Sequence, residues 1–231
     1  MKLRGGINFF ENGLTTNVRA MHLQSEMLGI INGNITGFDK VGFQRKDVVV
    51  SSFAEYIGAH ALSTAVDDEV GRISTTQNPL DLALGAKGYF QYSGVDGVKL
   101  TRDGRFKLDK DGYLLTLENA NVLANDGTKI RFPVIPEKLE DIKVTRNGEI
   151  QVLNQETGHL DHVATLSVVT DKGLAVLEPN VKQGYNEYSN VSMNTEILQI
   201  IPIKRNFEAN RQMFIMQNNN LSKAISQLGN S

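Results

Sequence analysis

The sequence lacks both cysteine and tryptophan among its 231 residues. Without cysteine there are no disulfides, no thiol nucleophiles and no thiolate metal sites. Aromatic residues make up only 7% of the chain, which argues against a surface that stacks nucleic-acid bases. Lys and Arg number 24 and Asp and Glu number 26, so no net field draws the chain to nucleic acid or to an anionic membrane.

Long apolar runs are also missing. No stretch of 18 apolar residues occurs, so the sequence predicts no membrane-spanning helix. Lys2 and Arg4 are followed by Asn8 and Glu11, where a Sec-type signal would have its apolar segment. We therefore expect no cleaved signal peptide. The hydrophobic content of 40% is ordinary for a folded chain with a core of its own.

Apolar residues recur at every seventh position near both ends of the chain. A column at this spacing lies along one side of a helix that packs against a partner helix. The columns are Ile7, Leu14, Met21, Leu28 and Ile35 at one end, and Ile200, Phe207, Phe214, Leu221 and Leu228 at the other. We assign these ten residues to an assembly interface.

A second column in each helix, three residues further on, is mixed in character. Asn17 and Gln24 interrupt it near the N-terminus, and Asn210 and Gln217 interrupt it near the C-terminus. Such helices need further helices, supplied by the other end of the chain or by other copies. The free energy gained by burying apolar side chains along the seam is nearly cancelled by the entropic cost of ordering the backbone. We therefore predict that both ends are largely unfolded in the monomer and fold on assembly.

The middle of the chain has short apolar runs separated by turn residues. Asn147-Gly148, between Ile142–Val144 and Ile150–Val152, is the strongest hairpin signal. Asp96-Gly97 and Asp111-Gly112 indicate two further turns. Strands at intervals of about 8–12 residues with tight turns predict an antiparallel all-β domain.

These patterns together predict an α+β fold. Residues 1–36 and 190–231 are the N- and C-terminal helices of a coiled-coil domain, residues 37–69 an extended connector, and residues 70–189 the central β domain. Pro202 lies inside the last segment, where it either bends the helix or marks its first turn. The spacing of Ile197, Ile200 and Ile201 favours a bend.

Motifs that could indicate catalysis or metal binding have simpler explanations. Asp109–Gly112 resembles part of a calcium loop but lacks the remaining ligands and the closing glutamate. His159 and His162 have no third ligand at a fixed spacing. No nucleophile with a partner base is recognisable. We therefore predict no enzymatic activity, no cofactor, no metal and no small-molecule substrate.

Three stretches of the sequence carry longer signatures. They are Asn34-Ile35 through Val41-Gly42-Phe43-Gln44; Asn78–Leu84, Gly88–Phe90 and Thr101–Phe106 with Asp109 and Gly112–Leu114; and Ser189–Val191, Ile200-Ile201, Arg205 and Phe207–Asn210. In this order they resemble the axial proteins of the bacterial flagellum, the rod and hook proteins. The chain departs from the family pattern at Gly33–Gly37, at Val41 and at Pro202.

The resemblance implies a structural subunit of the basal-body rod that self-assembles into a helical tube and transmits torque. Its expected partners are itself, other rod or hook subunits and the flagellar type III export apparatus, which would deliver it to the periplasmic rod without a cleaved signal. The central segment is too short for the extra domain of hook proteins, which favours the rod. A hook-type paralogue and a secreted all-β binding module with helical oligomerisation tails remain as alternatives.

Overall fold

The structure is a computed structural model that describes residues 13–50, 62–136, 138–155 and 157–229. Within this part, the chain divides into two compact units. The terminal unit comprises residues 13–35, 46–50, 62–65 and 192–229, and the central unit comprises the described residues of 36–45 and 66–191. Each unit is thus assembled from segments that lie far apart in the sequence.

Two long helices dominate the terminal unit. Helix α1 spans Gly13–Gly37 and helix α2 spans Met193–Gly229. The predicted α+β class, with helices towards both ends and antiparallel sheets between them, is confirmed. Neither helix is long and apolar enough over its described residues to span a membrane.

Strands β1 (Lys46–Val50) and β2 (Leu62–Val66) pair in a two-stranded sheet. Both strands fall in the range 37–69, for which the sequence predicts an extended connector. The pairing makes part of this range regular, and β2 lies in the stretch from Ser51 to Asp68 where the sequence has no clear apolar period. Four of the five residues of β2 are exposed or nearly so in a pattern without alternation, so no hydrophobic period marks the strand.

Pro202 lies inside α2, which is one uninterrupted helix from Met193 onward. The alternative in which the helix starts at Pro202 is therefore wrong, and the favoured bend at Pro202 within a continuous helix stays a prediction. A proline at this position removes the hydrogen bond to the carbonyl of Leu198. Because Leu198 is exposed, water can satisfy that carbonyl and the helix continues.

The central unit consists of short strands and one turn of 3-10 helix. The strands are β3 Ile73–Thr75, β4 Leu82–Leu84, β5 Tyr89–Gly94, β6 Gly97–Thr101, β7 Phe106–Leu108, β8 Leu114–Thr116, β9 Asn121–Val122, β10 Ile142–Val144, β11 Glu149–Leu153, β12 Leu160–Thr165, β13 Val168–Val169, β14 Val181–Gln183 and β15 Tyr185–Glu187. The 3-10 turn is Leu139–Asp141.

Antiparallel pairing joins these strands into several small sheets. The largest has the order β13-β5-β9-β8-β7, with β6 paired to β5, and a three-stranded sheet has the order β10-β11-β12. The pairs β14-β4 and β15-β3 bring the end of the β region back onto its beginning. The last two strands before α2 are thereby anchored to the first strands of the unit.

The predicted hairpins form, and one of them turns one residue earlier than expected. β10 and β11 pair Val144 with Ile150 around Asn147-Gly148, and Gly148 has a φ of 85°, which glycine adopts without strain. The β5–β6 hairpin pairs Gly94 with Gly97, so its two turn residues are Val95 and Asp96, one residue earlier than the predicted Asp96-Gly97. The β7–β8 hairpin turns at Asp111-Gly112. Asp109, which the sequence places in an incomplete calcium loop, accepts backbone hydrogen bonds from Asp111 and Tyr113 and so stabilises that turn.

One continuous apolar core lies between the sheets of the central unit. Its buried members are Leu80, Leu82, Leu84, Phe90, Phe106, Leu114, Val122, Ala124, Ile130, Phe132, Ile142, Ile150, Leu166, Val168 and Val181. Phe90 and Phe106 meet edge to face with ring centroids 5.2 Å apart.

A buried ion pair lies in the central unit between Arg102 and Glu187. The Arg102 Nε and Nη2 groups donate to the two carboxylate oxygens at 2.9 and 2.8 Å, and Nη1 donates to the carbonyls of Ala86 and Gly88 at 2.9 and 2.7 Å. The carboxylate also accepts the Gly71 amide at 2.9 Å. Both charged groups therefore have hydrogen-bond partners, as a buried pair requires.

Asn190 connects three stretches of the central unit at its last residues. Its side-chain oxygen accepts the Arg45 amide at 2.7 Å, and its side-chain nitrogen donates to the carbonyls of Asp67 and Glu69 at 3.1 and 3.2 Å. The Asp67 amide in turn donates to the Arg45 carbonyl at 2.8 Å. One side chain thus stabilises the backbone of two segments that are separate in the sequence.

Candidate assembly interface

Helices α1 and α2 of the terminal unit contact each other at two polar pairs. Asn17 donates to the Gln217 side-chain oxygen at 3.1 Å, and Asn34 donates to the Glu196 carboxylate at 3.1 Å. The contacts are about 25 Å apart along α1 and about 30 Å apart along α2, at 1.5 Å per residue. Since the partner number falls as the α1 number rises, the helices run antiparallel.

Asn34 lies at the centre of the second contact. Its amide nitrogen also donates to the Lys46 carbonyl at 2.9 Å, and its amide oxygen accepts the Lys46 backbone N–H at 2.9 Å. Asn34 is 1% exposed and Glu196 is fully buried. Glu196 lies in the first turn of α2, where a negative charge is favoured by the helix dipole. Asn34 therefore joins the end of α1, the start of β1 and the start of α2.

The less exposed positions of α2 form one face with alternating steps of four and three residues. They are Glu196, Ile200, Ile203, Phe207, Asn210, Phe214 and Gln217. On α1 the same spacing describes Leu14, Asn17, Met21, Gln24, Leu28, Ile31 and Ile35, all of them buried or half-buried. Alternating steps of three and four residues are the spacing of a helix seam.

The ten predicted interface residues fall into three groups. Ile7 lies outside the described residues. Seven of them are half-buried and two are exposed: the half-buried ones are Leu14, Met21, Leu28, Ile35, Ile200, Phe207 and Phe214, and the exposed ones are Leu221 and Leu228. Whether these residues contact other copies stays a prediction, as does the unfolding of both ends in the monomer.

The most buried positions of the terminal unit lie outside the predicted columns. Ile31 and Ile203 belong to the second columns, and Asn17, Asn34 and Glu196 are polar. The signal for Asn17 was present, because Asn17 and Gln217 are the polar residues that interrupt the second columns and they prove to contact each other. Nothing in the local sequence marks Asn34 or Glu196 as buried.

A second apolar face lies on the opposite side of α2 in two patches, separated by Arg205, Glu208 and Gln212 on the same side. At 3.6 residues per turn, Ile197, Leu198, Ile201, Ile215 and Met216 lie roughly half a turn away from the seam with α1. All five side chains are exposed, Met216 by 63%. Exposed apolar patches of this kind commonly mark an interaction surface.

The structure is that of an α+β protein, with two antiparallel helices in the terminal unit and antiparallel sheets in the central unit. Among the described residues there is no cluster of three side chains able to hold a metal ion. Residues 83–152 match the family model of the flagellar hook protein FlgE/F/G D1 domain, and residues 182–228 match that of the flagellar basal body rod FlgEFG protein C-terminal region. The first match lies in the central unit, and most of the second lies in α2.

Relatives that match over most of both chains agree with the family models. The flagellar basal-body rod protein FlgF of Mesorhizobium japonicum is 26% identical over 87% of this chain and 88% of its own length. FlgF of Caulobacter vibrioides is 27% identical over 91% and 95%, and the rod protein FlgG of Bacillus subtilis is 24% identical over 86% and 92%. The chain belongs to the flagellar hook and basal-body rod protein family.

Proposed function

We propose that this chain is a non-catalytic structural subunit of the bacterial flagellar basal-body rod. The family models and the names of the relatives support a rod protein. The observation that carries an assembly role is the second apolar face of α2. A helix with one seam towards α1 and exposed apolar patches on its other side is suited to pack against further helices.

In this proposal α1 and α2 pair as a coiled coil, and the ten column residues become buried as copies assemble into a tube. The two contacts between the helices and the alternating burial support the pairing. Leu221 and Leu228 continue the α2 column and are exposed in the single chain, so they have apolar area left to bury. Residues 1–36 and 190–231 constitute the proposed coiled-coil domain, with residues 70–189 as the β domain.

The proposed partners are further copies of this chain and other rod or hook subunits. As a rod subunit it would reach the periplasmic part of the basal body through the flagellar type III export apparatus, without a cleaved signal, and would transmit torque. Folding of the helical ends on assembly follows from the same proposal. Amide exchange on soluble monomer should show weak protection in α1 and α2, and strong protection of both helices would contradict it.

The assembly role is tested by placing a charge on the second face. Ile201→Glu should abolish tube formation and motility, because each buried isoleucine contributes roughly 1.5–3 kcal/mol and a buried unpaired carboxylate is more costly still. Pelleting of polymer and complementation of a motile host lacking the chain are the measurements. Leu177→Glu is the matched control, since Leu177 is 90% exposed in the central unit. Normal assembly of the Ile201 variant would refute the role of this face.

A further inference from the structure

The Asn17–Gln217 contact has a third participant, Gly13. A Cβ atom at Gly13 would lie 2.6 Å from the side-chain nitrogen of Gln217, so the amide occupies the space that any other residue at position 13 would fill. Gly13 and Asn17 are four residues apart and lie on the same face of α1. The Gln217 amide is therefore held over Gly13 and hydrogen-bonded to Asn17, an arrangement that we call the amide latch.

We propose that the amide latch sets the register and the antiparallel direction in which α1 pairs with α2, and that it selects this partner over the same helices of other copies. The proposal rests on the pairing stated above as part of the proposed function. Asn17 is only 7% exposed, so its amide depends on a partner within the protein. A buried polar residue in a helix seam is a known determinant of register, at some expense of stability.

The latch is satisfied in one register only. A shift by one heptad in one direction places Asn17 opposite Ala224, which offers no hydrogen bond from its side chain. The same shift brings Gln217 opposite Gln24. A shift in the other direction moves Gln217 away from both Asn17 and Gly13. It also brings Asn17 opposite Asn210, whose amide can form a hydrogen bond. The first shift leaves the buried Asn17 amide without a partner, and the penalty for such a group favours the observed register over this shift by on the order of tenfold. The second shift removes the Gln217 amide from the space over Gly13.

Gly13 supports the same conclusion independently of the hydrogen bond. Glycine inside a helix is destabilising relative to alanine, so a glycine that faces a partner side chain needs a reason. Gly29 and Gly33 of α1 face open space, with no atom within 4 Å of an added Cβ. Of these three glycines, only Gly13 has the space next to its Cα occupied by a side chain of the other helix.

The absence of cysteine makes register measurable by disulfide trapping in the full chain. The two observed helix contacts place Leu28 level with Ile203, and Asn210 lies one heptad away. Chains with Leu28→Cys and either Ile203→Cys or Asn210→Cys are oxidised at low concentration, where the disulfide captures the pairing even when the helices form it only transiently in the monomer. We expect trapping of the 28–203 pair over the 28–210 pair by on the order of tenfold when the latch is intact.

Asn17→Leu combined with Gln217→Leu should remove this preference. Leucine in the seam favours helix and burial, so loss of fold does not confound the result. The 28–210 product and cross-links between chains should rise to a level comparable with the 28–203 product. Unchanged product ratios would overturn the proposal, and so would failure of the intact chain to form the 28–203 product.

Gly13→Ala provides a second variant with a milder change. Its methyl group displaces the Gln217 amide while improving helix propensity, so register selectivity should fall although the helix is favoured. Gly29→Ala is the control, because it adds the same methyl group to α1 at a position with no atom within 4 Å of the new Cβ. Equal selectivity in the two variants would argue against the latch. Tube assembly is scored separately, so a chain with correct register that fails to polymerise contradicts the proposed function and leaves the latch standing.

Discussion

The buried Arg102–Glu187 pair should determine the stability of the central unit, and Glu187→Gln tests this directly. The substitution keeps the shape of the side chain but leaves the Arg102 guanidinium, which is 2% exposed, without its counter-charge. Breaking one partner of such a pair costs about 3–5 kcal/mol. At about 1–3 kcal/mol per molar of urea, the unfolding midpoint should fall by roughly 2 M.

The assay is urea unfolding followed by tyrosine fluorescence. The chain has no tryptophan, and every tyrosine except Tyr56 lies in the central unit, so the signal reports mainly on that unit. Lys99→Met is the control, since Lys99 and Asp96 form an exposed pair at 3.8 Å whose loss costs no more than about 1 kcal/mol. A Glu187→Gln variant as stable as the Lys99 control would refute the reasoning.

The double variant Arg102→Met with Glu187→Met separates charge from hydrogen bonding. Removing both charges avoids the isolated buried ion, so the loss of stability should be smaller than the sum of the two single losses. Some loss should remain, because the carbonyls of Ala86 and Gly88 lose the guanidinium that they accept from. Strict additivity of the two single variants would show that the residues do not act as a pair.

Three further predictions concern the central unit. Gly42→Ala should lower the urea midpoint strongly, because Gly42 has a φ of 71° and an added Cβ would lie 2.4 Å from the Asp103 amide nitrogen; an unchanged midpoint would contradict this. Asn190→Ala should cost about 2–4 kcal/mol in the same assay through three lost hydrogen bonds to backbone groups, and a loss below about 1 kcal/mol would argue against that role. The Thr128 hydroxyl and amide donate to Asp126 and lower its pKa. The stability that the folded chain gains from these hydrogen bonds is therefore present above the ordinary carboxyl pKa, and it is lost as pH falls through the lowered pKa of the folded state. In an NMR titration Thr128→Val should therefore raise the pKa of Asp126, and no change would exclude the hydroxyl as the cause.

Local patterns were sufficient for the elements that depend on neighbours in the sequence. The Asn147-Gly148 hairpin follows from turn chemistry, and its register agrees with the flanking strands. The columns Leu14–Ile35 and Ile200–Phe214 coincide with half-buried sides of the two helices, whereas Leu221 and Leu228 further along the second column are exposed. In contrast, β2 escaped prediction because its residues are exposed and carry no apolar alternation.

The contacts that hold each unit together join residues far apart in the chain. Arg102 and Glu187 are 85 residues apart, and Asn17 and Gln217 are 200 apart. The sequence offers many arginines, glutamates, asparagines and glutamines, and no periodicity tells which of them are buried against each other. Only the folded backbone brings such groups within hydrogen-bond distance and excludes water from them.

By itself, the sequence determined the class of fold, the tight turns, the apolar sides of both helices and the resemblance to flagellar axial proteins. These features depend on residue type and on spacings of a few residues, which a linear chain displays directly. The tertiary structure alone decided that α2 continues through Pro202, that polar residues in the two helices meet, and that α2 keeps an exposed apolar face. Those outcomes depend on which surfaces remain uncovered after distant segments pack, and burial is a property of the packed chain.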